Sequence, residues 1–279
     1  MTNTLPTEKW GLTESADWWS AGQAARQQIY GAATEMMLDL AGLQAGSRVL
    51  DVAAGTGEST LMAARRVGPM GYVVAADVSA SMLNVAAEGA RKEGITNMGT
   101  RVINAENIEL DADSFDAVIC RIALMLFPSP AKALGEMHRV VKPGGKVAVM
   151  VYYDLENNPY HGIFQEAVRR MGNIPWPAPG EPWMYALGTP GLLEGLYSSV
   201  GFINVSVRTA PIPRRFPSAA AAVGNMKKAT AGDIGELMSR LKEADRDRAW
   251  AEIEEKFKRF EGPNGFEVPG EVLIGVGMK

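Results

Sequence analysis

One cysteine and two histidines are all the chain offers of the side chains that build disulfide frameworks and most zinc sites. Cys120 has no partner for a disulfide, and a structural zinc site takes about four nitrogen or sulfur ligands. A resident metal is therefore not expected. Positive charge is also in short supply. Lys and Arg number 28 against 32 Asp and Glu, a formal net charge of -4, so no basic field exists to neutralise phosphates. Nucleic acid is disfavoured as a partner. No apolar stretch approaches the length of a membrane span, and Met1 to Trp10 lacks the apolar centre of a secretion signal. The expectation is a cytoplasmic protein without a membrane span.

What is plentiful is apolar surface. With 279 residues, 47% of them hydrophobic, the chain can bury one large core, and it reads as one elaborated domain. From Arg48 to Tyr153 short apolar runs alternate with helical patterns, as in stacked βαβ units over a parallel sheet. The strands are predicted at Arg48 to Val52, Tyr72 to Ala76, Gly99 to Ile103, Asp116 to Cys120 and Lys146 to Tyr152. Helices are predicted at Glu58 to Val67, Ser81 to Lys92 and Ala131 to Val141, the last followed by a turn at Lys142 to Gly145.

Beyond Tyr153 the alternation stops, and proline-rich Asn173 to Gly191 reads as an ordered loop or cap. Leu192 to Val200 reads as a helix, and Val205 to Ala210 and Val272 to Val276 as strands. Between those strands, Arg214 to Gly265 forms an insertion with a helix or helical pair, opened by a capping box of Asp233 and Glu236. Trp18 to Leu43 is also helical in pattern. The resulting division is an N-terminal helical lid over 1–47, a binding core over 48–153, and further strands of the same domain over 154–279, with a cap at about 214–265. The amphipathic insertion suits either substrate contact or a homodimer surface.

The chemistry points to Asp51-Val52-Ala53-Ala54-Gly55-Thr56-Gly57. A buried strand, a turn of small residues and a helix start follow one another here, so a ligand can approach the backbone closely. In open α/β sheets ligands bind beyond the carboxyl ends of the strands, and Asp77, about twenty residues past Gly57, stands where an acid accepts hydrogen bonds from ribose. A nicotinamide dinucleotide is one candidate. Against it, Thr60 occupies the place of the third glycine that admits a pyrophosphate, and Val49 to Ala64 holds no Lys or Arg. A carboxylate at the turn repels a diphosphate and suits ammonium and sulfonium charges. The charge pattern selects S-adenosylmethionine.

These residues, with Ala76-Asp77-Val78-Ser79, Ser81-Met82-Leu83, Asn104-Ala105-Glu106, Ser114 to Val118 and Arg139 to Gly145, resemble the class I S-adenosylmethionine-dependent methyltransferases. The branch most similar is that of ubiquinone and menaquinone biosynthesis C-methyltransferases. The resemblance implies an α/β fold, a doubly wound, seven-stranded, mostly parallel Rossmann-like sheet with an antiparallel last strand. It also implies that Asp51, Ala53, Gly55 and Gly57 surround the methionine part, that Asp77 holds the ribose, and that Val78 and Met82 pack on the adenine. Asn104 and Ala105 match the adenine edge, with Glu106 beside them or facing solvent. Cys120 and Arg121 match the end of the fourth strand beneath the methionine part, where Arg121 pairs with either the cofactor carboxylate or a neighbouring acid. Ala53 departs from a common glycine and calls for a different turn or more room. Leu124-Met125-Leu126 replaces a common histidine and leaves an apolar floor.

For the methyl acceptor, a small molecule, the candidate base is His161, with Tyr160 beside it, following the fifth strand. A surface histidine at a helix start is the plainer reading. His138 reads as solvated or packed. Trp18, Trp19, Tyr30, Trp176, Trp183 and Tyr185 form either an aromatic wall for an apolar or aromatic acceptor or simply core. The competing functions are a nicotinamide-dependent oxidoreductase and a non-catalytic ligand-binding relative of the fold.

Overall fold

The computed structural model of the chain describes residues 20–228 and 232–279. Strands are numbered in chain order: β1 Arg48–Val52, β2 Tyr72–Asp77, β3 Met98–Val102, β4 Phe115–Arg121, β5 Val141–Tyr152, β6 Ile203–Pro211, β7 Arg214–Phe216, β8 Glu261–Gly262, β9 Gly265–Val268 and β10 Glu271–Met278. The helices are α1 Gln23–Leu40, α2 Glu58–Val67, α3 Ala80–Lys92, α4 Pro130–Val140, α5 Pro159–Gly172, α6 Leu192–Ser199, α7 Ala219–Lys227, α8 Gly232–Ser239 and α9 Glu243–Phe257. Trp18, Trp19, the Met1 to Trp10 segment and the Asp233 side chain of the expected capping box lie outside the described residues.

Two compact units emerge. The first comprises the described residues up to Tyr152 with Pro182–Ala210 and Val272–Lys279; the second comprises Tyr153–Glu181 and Pro211–Glu271. The first unit holds the sheet, in the order β3-β2-β1-β4-β5-β10-β6. β1 pairs in parallel with both β2 and β4, and β10 runs antiparallel to β5. The seven-stranded, mostly parallel sheet expected from the sequence is thus the one present. Its strands read as nearly continuous apolar runs because helices cover both faces. Val49, Leu50, Val73, Val118, Ile119, Val147 and Val149 are wholly buried. Strand order reverses between β1 and β4, which opens a crevice beyond their carboxyl ends.

Helix α2 spans the residues read from the sequence, α3, α4 and α6 each shift by one residue, and α1 ends at Leu40 instead of Leu43. The expected turn at Lys142 to Gly145 lies inside β5 instead. There the register with β4 jumps from Phe115 opposite Val141 to Ala117 opposite Lys146, so the extra residues form an irregularity rather than a break. At the other sheet end, Gly275 and Gly277 leave room for α6. A Cβ on Gly275 would sit 2.8 Å from Leu193 Cδ2, and one on Gly277 would sit 2.7 Å from Tyr197 Cδ1. The buried Tyr197 hydroxyl uses that proximity, donating to Gly275 O at 2.9 Å with Val147 O at 3.2 Å.

The second unit has its own core. Helices α5, α7 and α9 bring together Phe164, Val168, Val223, Ile253 and Phe257, closed by Phe266 of the small sheet β7-β9-β8. The helical pair expected in the insertion is three helices and a three-stranded sheet. These strands are too short to show a period of two, which is why the pattern missed them. Residues 173–191 contain no helix or strand, in keeping with the loop reading.

Replacing Tyr197 by Phe removes the donor shared by two buried carbonyls and should cost about 1–3 kcal/mol. Urea unfolding would show it as a lower midpoint at unchanged slope. An unmoved midpoint would mean that the hydroxyl contributes nothing to joining α6 to β10.

Candidate functional site

At the end of β1 the chain leaves the sheet through a turn that depends on left-handed backbone. Gly55 and Gly57 have φ of +54° and +89°, and a Cβ on Gly57 would lie 2.6 Å from Ala86 Cβ. Gly57 is thus fixed both by conformation and by the close approach of α3. Ala53 takes φ +57°. Alanine in this left-handed conformation carries a backbone cost of about 1 kcal/mol.

Asp51 is the centre of the site. It is 0% exposed, and its Oδ2 accepts hydrogen bonds from Ser59 Oγ at 2.8 Å and Thr60 Oγ1 at 2.6 Å. Both hydroxyls come from the first turn of α2, so the residue that replaces the third glycine is one that grips this carboxylate. Oδ1 is buried without a partner among the described residues. Burial pushes the Asp51 carboxyl up to about 6, against the pull of the two hydroxyls and of Arg121.

Asp77 ends β2 and is nearly buried. Its Oδ2 accepts from Gly55 N–H and its Oδ1 from Ser79 N–H, both at 2.9 Å, which ties it to the glycine turn. Burial raises its carboxyl despite these bonds. The cap of α3 is Ser79, whose Oγ accepts from Met82 N–H, so Asp77 is not itself the helix cap. Met82 is buried with its sulfur 3.9 Å from the point where a Gly55 Cβ would stand, and Val78 is half-buried.

The β3–β4 connection departs from expectation in detail. Ala105 is buried, while Asn104 is exposed and turns its Oδ1 back to Glu106 N–H at 2.9 Å. Glu106 neither faces solvent alone nor stands unengaged, for its Oε1 accepts from Ser129 N–H at the start of α4. Cys120 is wholly buried in β4, and burial lifts its thiol far above the usual range, which leaves it inert. Of the three residues expected as an apolar floor, Leu124 and Met125 are buried and Leu126 is half-buried. Between Arg121 and that floor, Ile122 takes φ +56°, an outlier for a β-branched residue, with its N–H on Met150 O at 2.7 Å.

Arg121 pairs with an acid of its own chain: its Nη2 lies 3.5 Å from Glu58 Oε2, with both side chains 9% exposed. Arg121 Nη1 is buried without a hydrogen-bond partner among the described residues. The opposite oxygen of Glu58 takes two bonds from Arg26 of α1, from Nε at 2.7 Å and Nη2 at 2.5 Å. Burial would raise the Glu58 carboxyl, but Arg121 and Arg26 outweigh it and hold it below the usual range. Arg26 Nη2 also reaches Thr56 Oγ1, and Gln23 Nε2 donates to Thr56 O at 3.0 Å. Helix α1 is thereby fastened to the glycine turn. Sequence reasoning missed Gln23, Arg26, Glu58 and Ile122. The first three act through partners some thirty residues away, and nothing in an isoleucine announces a left-handed φ.

The aromatic residues separate. In the first unit the Tyr30 and Tyr152 hydroxyls are hydrogen-bonded, Tyr152 packs on Tyr185 at 5.4 Å, and Tyr185 packs on Trp183 at 5.4 Å. Trp176 belongs to the second unit, where Arg169 lies over its ring at 4.9 Å. Tyr160 is a core residue of that unit, stacked between Phe216 and Phe257, and its hydroxyl bonds Ala222 O and Asn225 Nδ2 at 3.3 Å. His161 lies in the first turn of α5 but is not the surface histidine expected there: burial together with Arg214 holds its imidazole well below the usual value. His138 is packed on Phe202 at 4.7 Å. Among the described residues no cluster of His, Cys, Asp or Glu is arranged to hold a metal ion.

Residues 43–174 match the family model described as a methyltransferase domain. This stretch, a little under half of the chain, is similar to methyltransferase domains. The chain is 40% identical over 116 residues to the ubiquinone/menaquinone biosynthesis C-methyltransferase UbiE of Pasteurella multocida, covering 41% of this chain and 43% of that protein. To the protein of the same name from Vibrio vulnificus it is 39% identical over 142 residues, 49% of this chain and 55% of the other. The chain spans about half the length of the curated relatives it matches. Among solved structures, a putative methyltransferase from Bacillus halodurans superposes with a TM-score of 0.60 at 19% identity, covering 89% of this chain and 99% of that one. Phosphoethanolamine N-methyltransferase 2 of Haemonchus contortus, solved with S-adenosyl-L-methionine, gives 0.59 at 19%, covering 100% and 60%. Both likenesses are of fold. The matched residues include the glycine turn, Asp77, and the ends of β4 and β5.

The Asp51 carboxyl sits at about 6 in the folded chain against 3.8 when exposed, so its buried proton favours folding below the exposed value and that contribution disappears as pH rises through 6. An Asp51→Asn variant has no such proton to lose. Relative to wild type, its unfolding free energy should improve by roughly 2–3 kcal/mol between about pH 4 and about pH 8. Parallel stability curves for the two proteins would show that Asp51 is not a desolvated carboxylate.

Proposed function

We propose that this chain transfers the methyl group of S-adenosylmethionine to a small apolar or aromatic molecule. The observation that carries the reading is a pair of buried, unpartnered atoms of opposite charge, Asp51 Oδ1 and Arg121 Nη1, at the ends of the adjacent strands β1 and β4. Buried charges are retained where a partner meets them. An amino-acid zwitterion supplies both partners, an ammonium for Asp51 and a carboxylate for Arg121. A diphosphate supplies neither the cation for Asp51 nor a reason for that carboxylate to lie at the turn.

When bound, S-adenosylmethionine supplies a methyl group already activated on sulfonium. The residues of the chain bind and align. Asp77 retains acceptor capacity beyond its backbone bonds and would accept from the ribose hydroxyls, while Val78, Met82 and Ala105 would offer apolar surface to the adenine. Transfer in line to an acceptor nucleophile then leans on alignment and exclusion of water. No residue is assigned as base: the Tyr160 hydroxyl is engaged in its own core, and the His161 imidazole resists protonation. The buried Leu124 and Met125 and the rings of Tyr30, Tyr152, Tyr185 and Trp183 support an apolar or aromatic acceptor. A small acceptor also agrees with the net charge of -4, which gives nucleic acid no hold. Among the described residues no helix is long and apolar enough to cross a membrane, and we place the reaction in the cytoplasm.

Calorimetry with S-adenosylhomocysteine tests this reading. The wild-type chain should bind it, and Asp77→Asn should weaken binding by about 1–3 kcal/mol, the loss expected when hydrogen bonds to a charged acceptor are removed. Binding of NADH in place of S-adenosylhomocysteine would move the chain to the oxidoreductases. Binding without methyl transfer to any of a broad panel of phenols, quinols and amines would leave a ligand-binding relative of the fold.

A further inference from the structure

Arg26 is not part of the glycine turn, yet it meets the same carboxylate that faces Arg121. Glu58 is divided between them. Its Oε1 takes Arg26 Nε and Nη2 at 2.7 and 2.5 Å, and its Oε2 takes Thr56 Oγ1 at 3.0 Å and lies 3.5 Å from Arg121 Nη2. All three charged side chains are close to buried, at 13% exposure or less, so their mutual fields are weakly screened. The Arg26 contact is the short, forked one. The Arg121 contact is a single long one, and it leaves Nη1 with no partner. In a low-dielectric site a guanidinium only loosely satisfied by its own acid keeps most of its attraction for a second anion.

We infer that Arg26 is a positioning residue for the anionic end of the cofactor: by claiming Glu58, it keeps Arg121 available to a ligand carboxylate. This rests on the S-adenosylmethionine reading of the site. It also gives the fastening of α1 to the turn a role in binding, because the helix that carries Arg26 and Gln23 adjusts the charge at the end of β4. Without Arg26, the full charge of Glu58 falls on Arg121 and competes with the ligand. Without both Arg26 and Glu58, Arg121 is relieved again.

The test compares two ligands by calorimetry on the full chain. S-adenosylhomocysteine carries the amino-acid end, and 5′-methylthioadenosine has the same nucleoside thioether without it. Arg26→Gln should weaken S-adenosylhomocysteine about tenfold or more, the scale of one charge-assisted bond, and leave methylthioadenosine within about threefold. Adding Glu58→Gln to that variant should bring S-adenosylhomocysteine back to within about threefold of wild type, which a merely structural role cannot do. Arg26→Lys, which keeps the charge and loses the fork, should fall in between and serves if the glutamine variant does not fold. Equal losses for both ligands, no loss for either, or a double variant at least as weak as the single one would overturn the inference. Wild-type chain that bound neither ligand would instead overturn the cofactor reading, and this inference with it.

Discussion

A carboxylate at the end of β1, wholly withdrawn from water, is the constraint around which the rest of the site is arranged. Burying Asp51 is unfavourable, and the fold offsets only part of the cost: two hydroxyls from α2 engage one oxygen and none engages the other. In the function proposed above, the compensation comes from a ligand, and the sign of the charge chooses a cation. The neighbouring features agree with that choice. The turn carries no basic residue, Thr60 stands at the place of a dinucleotide loop's third glycine and grips Asp51, and Arg121, whose charge acts on Asp51, meets Glu58 only at 3.5 Å.

Strain and close packing hold the arrangement in place. Left-handed backbone at Ala53, Gly55 and Gly57 folds the turn tightly, and α3 presses so near that Gly57 has no room for a side chain. A further left-handed residue, Ile122, sits just past Arg121 at the end of the adjacent strand. Such conformations persist where the surroundings over-determine them, and they gather here on both strands that border the crevice. Helix α1 then fastens the turn from outside through Gln23 and Arg26.

Much of this was legible in the chain because the informative signals are local. A buried strand, a small-residue turn and a helix start within a dozen residues need no long-range knowledge, and an acid ending the next strand completes them. The antiparallel β10 followed from the family resemblance, and α2 ends where its pattern placed it, at Val67 with Gly68 as the C-cap. What could not be read depends on distance or on short elements. The division of Glu58 between Arg26 and Arg121 joins residues far apart in sequence. The strands β7, β8 and β9 are too brief to alternate, and Glu106 found its partner at the start of a helix rather than in solvent or ligand. Tyr160 looked available beside His161, but three-dimensional packing put it inside an aromatic stack.

Proton release on ligand binding reports most directly on the desolvated carboxylate. At about pH 6 the free Asp51 carboxyl is partly protonated, and an ammonium placed against it must expel that proton. Titrating S-adenosylhomocysteine into the chain near pH 6, in buffers of different ionisation enthalpy, should reveal a net release of a fraction of a proton that disappears in the Asp51→Asn variant. Binding with no proton released, or with the same release in the variant, would contradict a site built on the charge of Asp51.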